Sequence, residues 1–227
     1  MLVASIVATS LTALAQCPDN EIWYTTRDGK KAELYVGHFL DWSNPDLKIM
    51  SHTYSNGKGV IRANGPIKHY GYYEPAGEGI MLSLNVDTIT FPDSLEGLIA
   101  TNFDGIKTFK GKYASADGRC LIINGELLGF APEGLTSYTV PNGVTKIGDY
   151  AFFLCENLTS ITLPQSVTKI GDGAFLRCTN LRSINIPSSV TEIGLRAFED
   201  CNVSNEIKAL AEKLLPEDRK YDYEWDV

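Results

Sequence analysis

Residues 158–178 read LTSITLPQSVTKIGDGAFLRC, and residues 181–201 read LRSINIPSSVTEIGLRAFEDC, the same pattern 23 residues later. A third copy, VPNGVTKIGDYAFFLC, stands at residues 140–155. Pro141, Pro164 and Pro187 are in step, as are Val144, Val167 and Val190, and Ile147, Ile170 and Ile193. So are Gly148, Gly171 and Gly194, then Phe152, Phe175 and Phe198, then Cys155, Cys178 and Cys201. A repeat of this length marks a solenoid, whose units bury their apolar side only by stacking.

Within the middle unit, Ile161 and Leu163 alternate with Ser160 and Thr162, the period-two pattern of a strand with one buried face. Pro164 ends that strand because it has no N–H to give to a ladder. Val167 to Ile170 reads as a second short extended piece, and Gly171 permits a bend. Asp172 to Cys178, with Ala174 and Phe175 inward, reads as one helical or 3₁₀ turn. Ordering costs about 1–2 kcal/mol per residue, which a lone coil does not comfortably offset, so stability comes from the stack.

The pattern Leu-x-x-Ile-x-Leu-Pro-x-x-Val-x-x-Ile-Gly-x-x-Ala-Phe-x-x-Cys resembles the BspA-like class of leucine-rich repeats. The resemblance implies an α/β solenoid, a right-handed superhelix with a parallel sheet. It further implies a secreted or surface-exposed protein of anaerobic gut or oral bacteria, of a class associated with adhesion to host proteins and other cells. It brings no catalytic residue and no cofactor.

Weaker copies extend the register toward the N-terminus. Ile61, Ile67, Tyr70 and Gly71 fit the places of Ile161, Val167, Ile170 and Gly171; Ile89, Phe91, Pro92, Leu95, Leu98 and Phe103 fit a second unit, and Ile106 and Phe109 a shortened third. Strand centres then fall at Ile61, Ile89, Phe109, Tyr138, Ile161 and Ile184, which predicts about six coils of roughly 23 residues over 60–202. The long step between Phe109 and Tyr138 holds residues 113–131, where Asp117-Gly118 and Asn124-Gly125 predict a small antiparallel meander bulging from the outer arc of a coil. It is either a binding element or a register spacer.

Residues 17–59 have no such register and predict a β-rich cap over the first open edge. Asp28-Gly29 predicts a hairpin between Glu21–Tyr24 and Ala32–Val36, and Asn56-Gly57 another between Ile49–Tyr54 and Val60–Arg62. Trp23, Tyr24, Tyr35, Phe39 and Trp42 form either cap core or an aromatic ligand platform. Over 203–227, Val203, Ile207, Leu210, Ala211 and Leu214 predict an amphipathic capping helix with Ser204 as N-cap and Pro216 as its stop. An acidic tail with Tyr221, Tyr223 and Trp225 follows.

Residues 1–16 are apolar and uncharged, too short to span a bilayer, and Ala13-Leu14-Ala15 fits a signal-peptide cleavage site. Leu14-Ala15-Gln16-Cys17 approaches a bacterial lipobox, leaving a lipid anchor at Cys17 as one alternative and a cap strand or helix as another. The expected location is therefore secreted or at the bacterial cell surface, associated with the outer membrane, with no transmembrane segment.

The net charge of −8 argues against nucleic acid and anionic membrane as partners. Cys155, Cys178 and Cys201 form a line one coil apart, which suits buried thiols better than disulfides or a converging zinc site. His38, His52 and His69 are scattered, and no phosphate loop, nucleophile elbow or EF-hand is present. Asp87-Thr88-Ile89 and Asp93-Ser94-Leu95 resemble an O-glycosylation motif of gut Bacteroidetes. No catalytic, metal or cofactor residue is expected.

What remains is surface. Outward positions of the long strands predict one column of Arg62, Thr90, Lys110, Thr139, Thr162 and Asn185, beside another of Val60, Thr88, Thr108, Ser137, Ser160 and Ser183. A concave face of this kind suits a host or neighbouring-cell protein or a glycan, with Arg62, Thr90, Lys110, Ser137, Thr139, Ser160, Thr162, Ser183 and Asn185 as candidate ligand contacts. A structural spacer without its own ligand is the competing reading, and a carbohydrate-active enzyme built on the aromatic cap a third.

Overall fold

The computed structural model describes residues 16–36, 46–73, 78–82, 85–99 and 103–219. The expected signal segment through Ala15, His38, Phe39 and Trp42 of the cap, and Tyr221, Tyr223 and Trp225 of the tail lie outside the described residues.

In chain order the first part contributes β1 (Glu21–Thr26), β2 (Leu34–Val36), β3 (Ile49–Ser55), β4 (Lys58–Ala63), β5 (His69–Tyr73), β6 (Glu78–Leu82), β7 (Val86–Thr90), β8 (Gly97–Ile99) and β9 (Thr108–Lys110). A hairpin of β10 (Cys120–Ile123) and β11 (Glu126–Phe130) follows. The three clear repeats then give two strands each: β12 (Ser137–Thr139) and β13 (Lys146–Ile147), β14 (Ser160–Thr162) and β15 (Lys169–Ile170), β16 (Ser183–Asn185) and β17 (Glu192–Ile193). Helix α1 (Asn205–Leu214) and a 3₁₀ turn at Glu217–Arg219 end the described chain.

Equal spacing in sequence becomes equal height in the stack. Tyr138, Ile161 and Ile184 are Cα partners across parallel β12, β14 and β16, and Ile147, Ile170 and Ile193 across β13, β15 and β17. Phe152, Phe175 and Phe198 share one interior row, with ring centroids 5.0 and 5.2 Å apart and planes tilted by 16° and 3°. Ser166 Oγ donates to Val144 O and Ser189 Oγ to Val167 O, both at 2.7 Å, so even the polar framework positions tie one coil to the one before.

Two local details differ from the expectation. The segment after each framework glycine is a run of turns rather than a helix. Tyr150 and Arg196 take φ of 57°, and Leu154 and Arg177 take 60°. These left-handed residues turn the N–H groups outward along the stack, where Tyr150, Phe152 and Leu154 donate to Asp172, Ala174 and Leu176 of the following coil at 2.8–3.0 Å. Gly171 is required for close approach, not for a special φ: a Cβ there would lie 2.7 Å from Asp149 N and 2.8 Å from the carbonyl carbon of Gly148.

The stack amounts to about four turns rather than six. The first expected coil fails because β1 inserts between β4 and β7, antiparallel to both, in a sheet ordered β3-β4-β1-β7-β9. Ile61 therefore lies beside Ile22, and Tyr24 beside Ile89. The Asp28-Gly29 turn does not close a hairpin, since β2 pairs with β6 while β1 is taken on both edges. Asn56-Gly57 and Asn124-Gly125 do close hairpins, with φ of 50° and 77°, and of 51° and 80°.

The hairpin insertion is part of the stack rather than a bulge outside it. β11 pairs in parallel with β13, Leu127 opposite Ile147, and the Phe130 ring lies 4.8 Å from Phe152. Two buried cores meet at this hairpin. Cys120, Leu127 and Phe130 belong to the core of the three clear repeats, while Leu121 and Ala131 belong to the N-terminal core with Ile22, Tyr70 and Phe91. At the far end α1 starts where expected, Ser204 Oγ accepting from Ile207 N, and lays Ile207, Leu210, Ala211 and Leu214 over the last coil. No helix among the described residues is long and apolar enough to cross a membrane.

Candidate functional site

The two expected outward columns are divided by the fold into two separate faces. On β12, β14 and β16, Ser137, Ser160 and Ser183 are partners in one row, and Thr139, Thr162 and Asn185 in the next. Strand spacing of about 4.8 Å sets the interval within each row. Five of these six side chains are exposed and Ser160 is half-buried. Asn185 is committed to structure: its Oδ1 accepts from Leu163 N at 2.8 Å and its Nδ2 donates to Leu163 O at 2.9 Å. The face is thus small hydroxyls, without an aromatic or an arginine.

Thr90 and Lys110 lie on the other sheet. Residues between β9 and β12 interrupt the row, with Phe109 N donating to Gly118 O at 2.7 Å, so Lys110 and Thr139 do not continue one another. Arg62 leaves the column too. Because β1 intervenes, Thr90 is opposite Trp23, and Trp23 is opposite Val60, while Arg62 is opposite Glu21. Arg62 Nε donates to Glu21 Oε1 at 2.8 Å, and Trp23 Nε1 to Glu21 Oε2 at 2.6 Å. Burial pushes the Glu21 carboxyl upward, but the bonds from Trp23 and Arg62 outweigh it and hold the group below the usual carboxylate range.

Around Trp23 is a cleft of about 500 Å³. Ile22 and Tyr24 point into the core, which leaves Trp23 on the outer face of β1. Lys58 Nζ lies 3.2 Å over the Trp23 ring, and Lys112 Nζ 4.9 Å from the Tyr113 ring centroid. Lys110, Thr88 and Thr90 complete that wall. Lys58 and Lys112 were not singled out in the sequence; Lys58 comes near Lys110 through the insertion of β1 between β4 and β7. Of the aromatic cap residues, Tyr24 is core and Tyr35 is 46% exposed, so the described cap is neither wholly core nor a single platform.

All five cysteines are free and buried. Cys178 Sγ donates to Phe152 O at 3.0 Å and Cys201 Sγ to Phe175 O at 2.9 Å. Hydrogen bonding to the neighbouring thiol raises the pKa of both, and burial raises it further. Burial pushes Cys17 and Cys120 up to about 12. Protonated, enclosed thiols of this kind are poor nucleophiles. Cys17 is 4% exposed and its Sγ donates to Glu21 O at 3.3 Å. Ser94 Oγ donates to Ile67 O at 2.8 Å and Asp19 O at 3.0 Å, so this hydroxyl is engaged, while Thr88 lines the cleft. Among the described residues no three His, Cys, Asp or Glu side chains converge as a metal site.

On the opposite strands a charged row was overlooked: Glu126, Lys146, Lys169 and Glu192 occupy partner positions, with ion pairs of 2.8 Å between Lys146 and Glu126 and 2.6 Å between Lys169 and Glu192. The last three recur at the repeat spacing and were legible; they are partly exposed and worth little each.

Residues 129–214, less than half of the chain, match the family model described as a BspA type leucine rich repeat region (6 copies). That match begins in β11, where the ladder of clear repeats begins. No curated protein matches the chain. Among solved structures, a leucine rich cell surface protein of Faecalibacterium prausnitzii A2-165 is 26% identical over 46% of this chain and 31% of its own, with a TM-score of 0.37. A leucine rich repeat protein of T. pallidum is 27% identical over 41% of this chain and 46% of its own, with a TM-score of 0.32. The chain spans less than half the length of either structure.

Proposed function

We propose that the chain, whose residues 129–214 match a BspA type leucine rich repeat region, is a non-enzymatic interaction module displayed outside a bacterial cell, where it holds a protein or glycan partner and serves adhesion. The observation that carries this reading is the hydroxyl face of β12, β14 and β16, where Ser137, Ser160, Ser183, Thr139 and Thr162 repeat at one strand spacing on a rigid stack. Each hydroxyl both donates and accepts, and fixed spacing presents them without an ordering cost at the moment of binding. Burial of Cys17 favours release or non-covalent retention over a lipid anchor at that residue.

A spacer role within a larger surface assembly is the second reading. It is favoured by one feature of the same face: the aromatic and arginine anchors that dominate most protein interfaces are missing from it. An array of extracellular-matrix proteins and glycans, probed with the native chain and with Ser160→Glu/Thr162→Glu, separates the two. Binding that the double variant abolishes supports the module; silence of the native chain on both arrays, or binding that the variant keeps, overturns the assignment of this face.

A further inference from the structure

The cleft at Trp23 is built differently from the hydroxyl face. Its lining carries the ammonium groups of Lys58, Lys110 and Lys112 against one carboxylate, Asp93, in a chain whose net charge is −8. Asp93 already accepts from Gln16 Nε2 at 2.5 Å. Glu21, the next acid along β1, is satisfied by Trp23 and Arg62. Three ammonium groups against one carboxylate leave the walls with a surplus of positive charge, and it is concentrated in a concavity, where field lines focus.

The spacing of those charges narrows the ligand. Lys58 is fixed by its ammonium over the Trp23 ring. Trp23, Thr90 and Lys110 are successive Cα partners across β1, β7 and β9, so Lys110 stands two strand spacings, about 10 Å, from Trp23. Lysines rooted that far apart span the cleft instead of ringing one point. They suit a ligand with acidic groups at intervals along an extended body. Between them the floor offers the hydroxyls of Thr25, Thr88 and Thr90, which pair with hydroxyls of a ligand rather than with its charges. A peptide would gain most by adding a strand at a sheet edge, but β1 and β7 are each paired on both sides, and the outer edge of β9 is partly taken where Phe109 N donates to Gly118 O.

The geometry points to a binding site for an acidic oligosaccharide, bearing uronate or sulfate groups, with Lys58, Lys110 and Lys112 holding its anions and Thr88 and Thr90 its hydroxyls. This site is separate from the hydroxyl face of β12, β14 and β16.

The test is calorimetric titration of the native chain with tetragalacturonate, a chondroitin sulfate tetrasaccharide, neutral maltotetraose and a hexaglutamate peptide, at low and at high salt. Saturable binding of one or both acidic saccharides is expected, weakened by salt, and the two acidic arms tell uronate from sulfate. Lys110→Gln should weaken it about tenfold, the loss of one charge-assisted contact of about 1.4 kcal/mol. Lys58→Gln should do the same, and Lys213→Gln, at an exposed lysine of α1 remote from the cleft, should leave it unchanged. Lys110 and Lys58 are exposed, and unaltered circular dichroism of both variants would show that the fold is kept. Failure of both acidic saccharides, equal binding of maltotetraose, tighter binding of hexaglutamate, indifference to the Lys110 and Lys58 changes, or an equal loss on Lys213→Gln would each overturn the assignment.

Discussion

Replacing Phe175 by alanine tests the stack at its centre. The ring is fully buried, between Phe152 at 5.0 Å and Phe198 at 5.2 Å. A buried Phe→Ala change costs about 3–5 kcal/mol, with the higher values where surroundings do not collapse into the hole. Collapse is opposed here because the coil spacing is pinned by backbone rungs on both sides: Phe152 N donates to Ala174 O, Phe175 N to Ala197 O, and Cys201 Sγ to Phe175 O. The expected loss is therefore about 4–5 kcal/mol. Phe198 has one ring neighbour in this row instead of two and is 5% exposed toward the cleft beneath α1. Its truncation forfeits one stacked pair, worth about 0.5–1.5 kcal/mol, instead of two, and so should cost about 1 kcal/mol less than that of Phe175. Phe175→Leu keeps most of the volume and should lose about 1–2 kcal/mol. Urea unfolding followed by far-ultraviolet circular dichroism reads these differences as midpoint shifts at unchanged slope. A Phe175→Ala chain within about 1 kcal/mol of native, or one less damaged than Phe198→Ala, would refute a load shared along a continuous aromatic row.

Gly171→Ala should destabilise by about 3 kcal/mol, the upper range for overpacking, because its new methyl meets the Asp149 carboxylate and the Gly148 backbone. Gly134→Ala, with φ of 76° and nothing within 4 Å of the new methyl, should lose only the left-handed penalty of about 1–2 kcal/mol; equal losses in the same urea assay would contradict the close-approach account. His52 is lowered to about 4 from 6.5, by burial first and by Lys31 second. A histidine with a depressed folded pKa binds protons more readily when unfolded. Its contribution is fully present above pH 6.5 and is lost as pH falls from 6.5 toward 4. Urea midpoints measured across that window should decline for the native chain and decline less for His52→Gln, and parallel profiles would show that another group is responsible.

Legibility in the sequence followed the range of the interaction. The three clear coils were readable because each inward position recurs at one interval and parallel stacking brings equal positions together, as Ile147, Ile170 and Ile193 do. Ser204 and the two Asn-Gly turns were readable because their geometry is decided within a few residues. The strand at Glu21–Tyr24 was readable but its pairing was not, since its neighbours β4 and β7 lie far along the chain and nothing local in Glu21–Thr26 chooses between them and β2. The alternation Ile22, Trp23, Tyr24 did disclose which side chain faces out; where it faces required the insertion. The strand β11 was readable as half of a hairpin, but its pairing with β13 escaped for a different reason. Leu127 and Phe130 are three apart, while Ile147 and Phe152 are five apart, so the strand enters the ladder from a coil whose phase the clear repeats do not share. The candidate site suffered accordingly: Ser137, Thr139, Ser160, Thr162 and Ser183 were placed together, whereas Arg62 and Lys110 were assigned to a column that the fold breaks.

That break has a physical origin in one hairpin. Adjacent residues of β10 point to opposite sides, so Cys120 enters the repeat core and Leu121 the N-terminal core. A Cβ on Gly129 would come 2.7 Å from the Phe103 ring and 2.9 Å from Leu98, while Leu127 next to it is paired with Ile147. The hairpin thus serves both cores at once: it sends Leu121 into the core beneath the sheet carrying Trp23 and supplies the first rung on which the regular coils build. A stack begun on such a rung needs no match between its long strands and β9. This is why the basic cleft and the hydroxyl face differ so much in chemistry within one chain, and why substitution on one face should leave binding at the other intact.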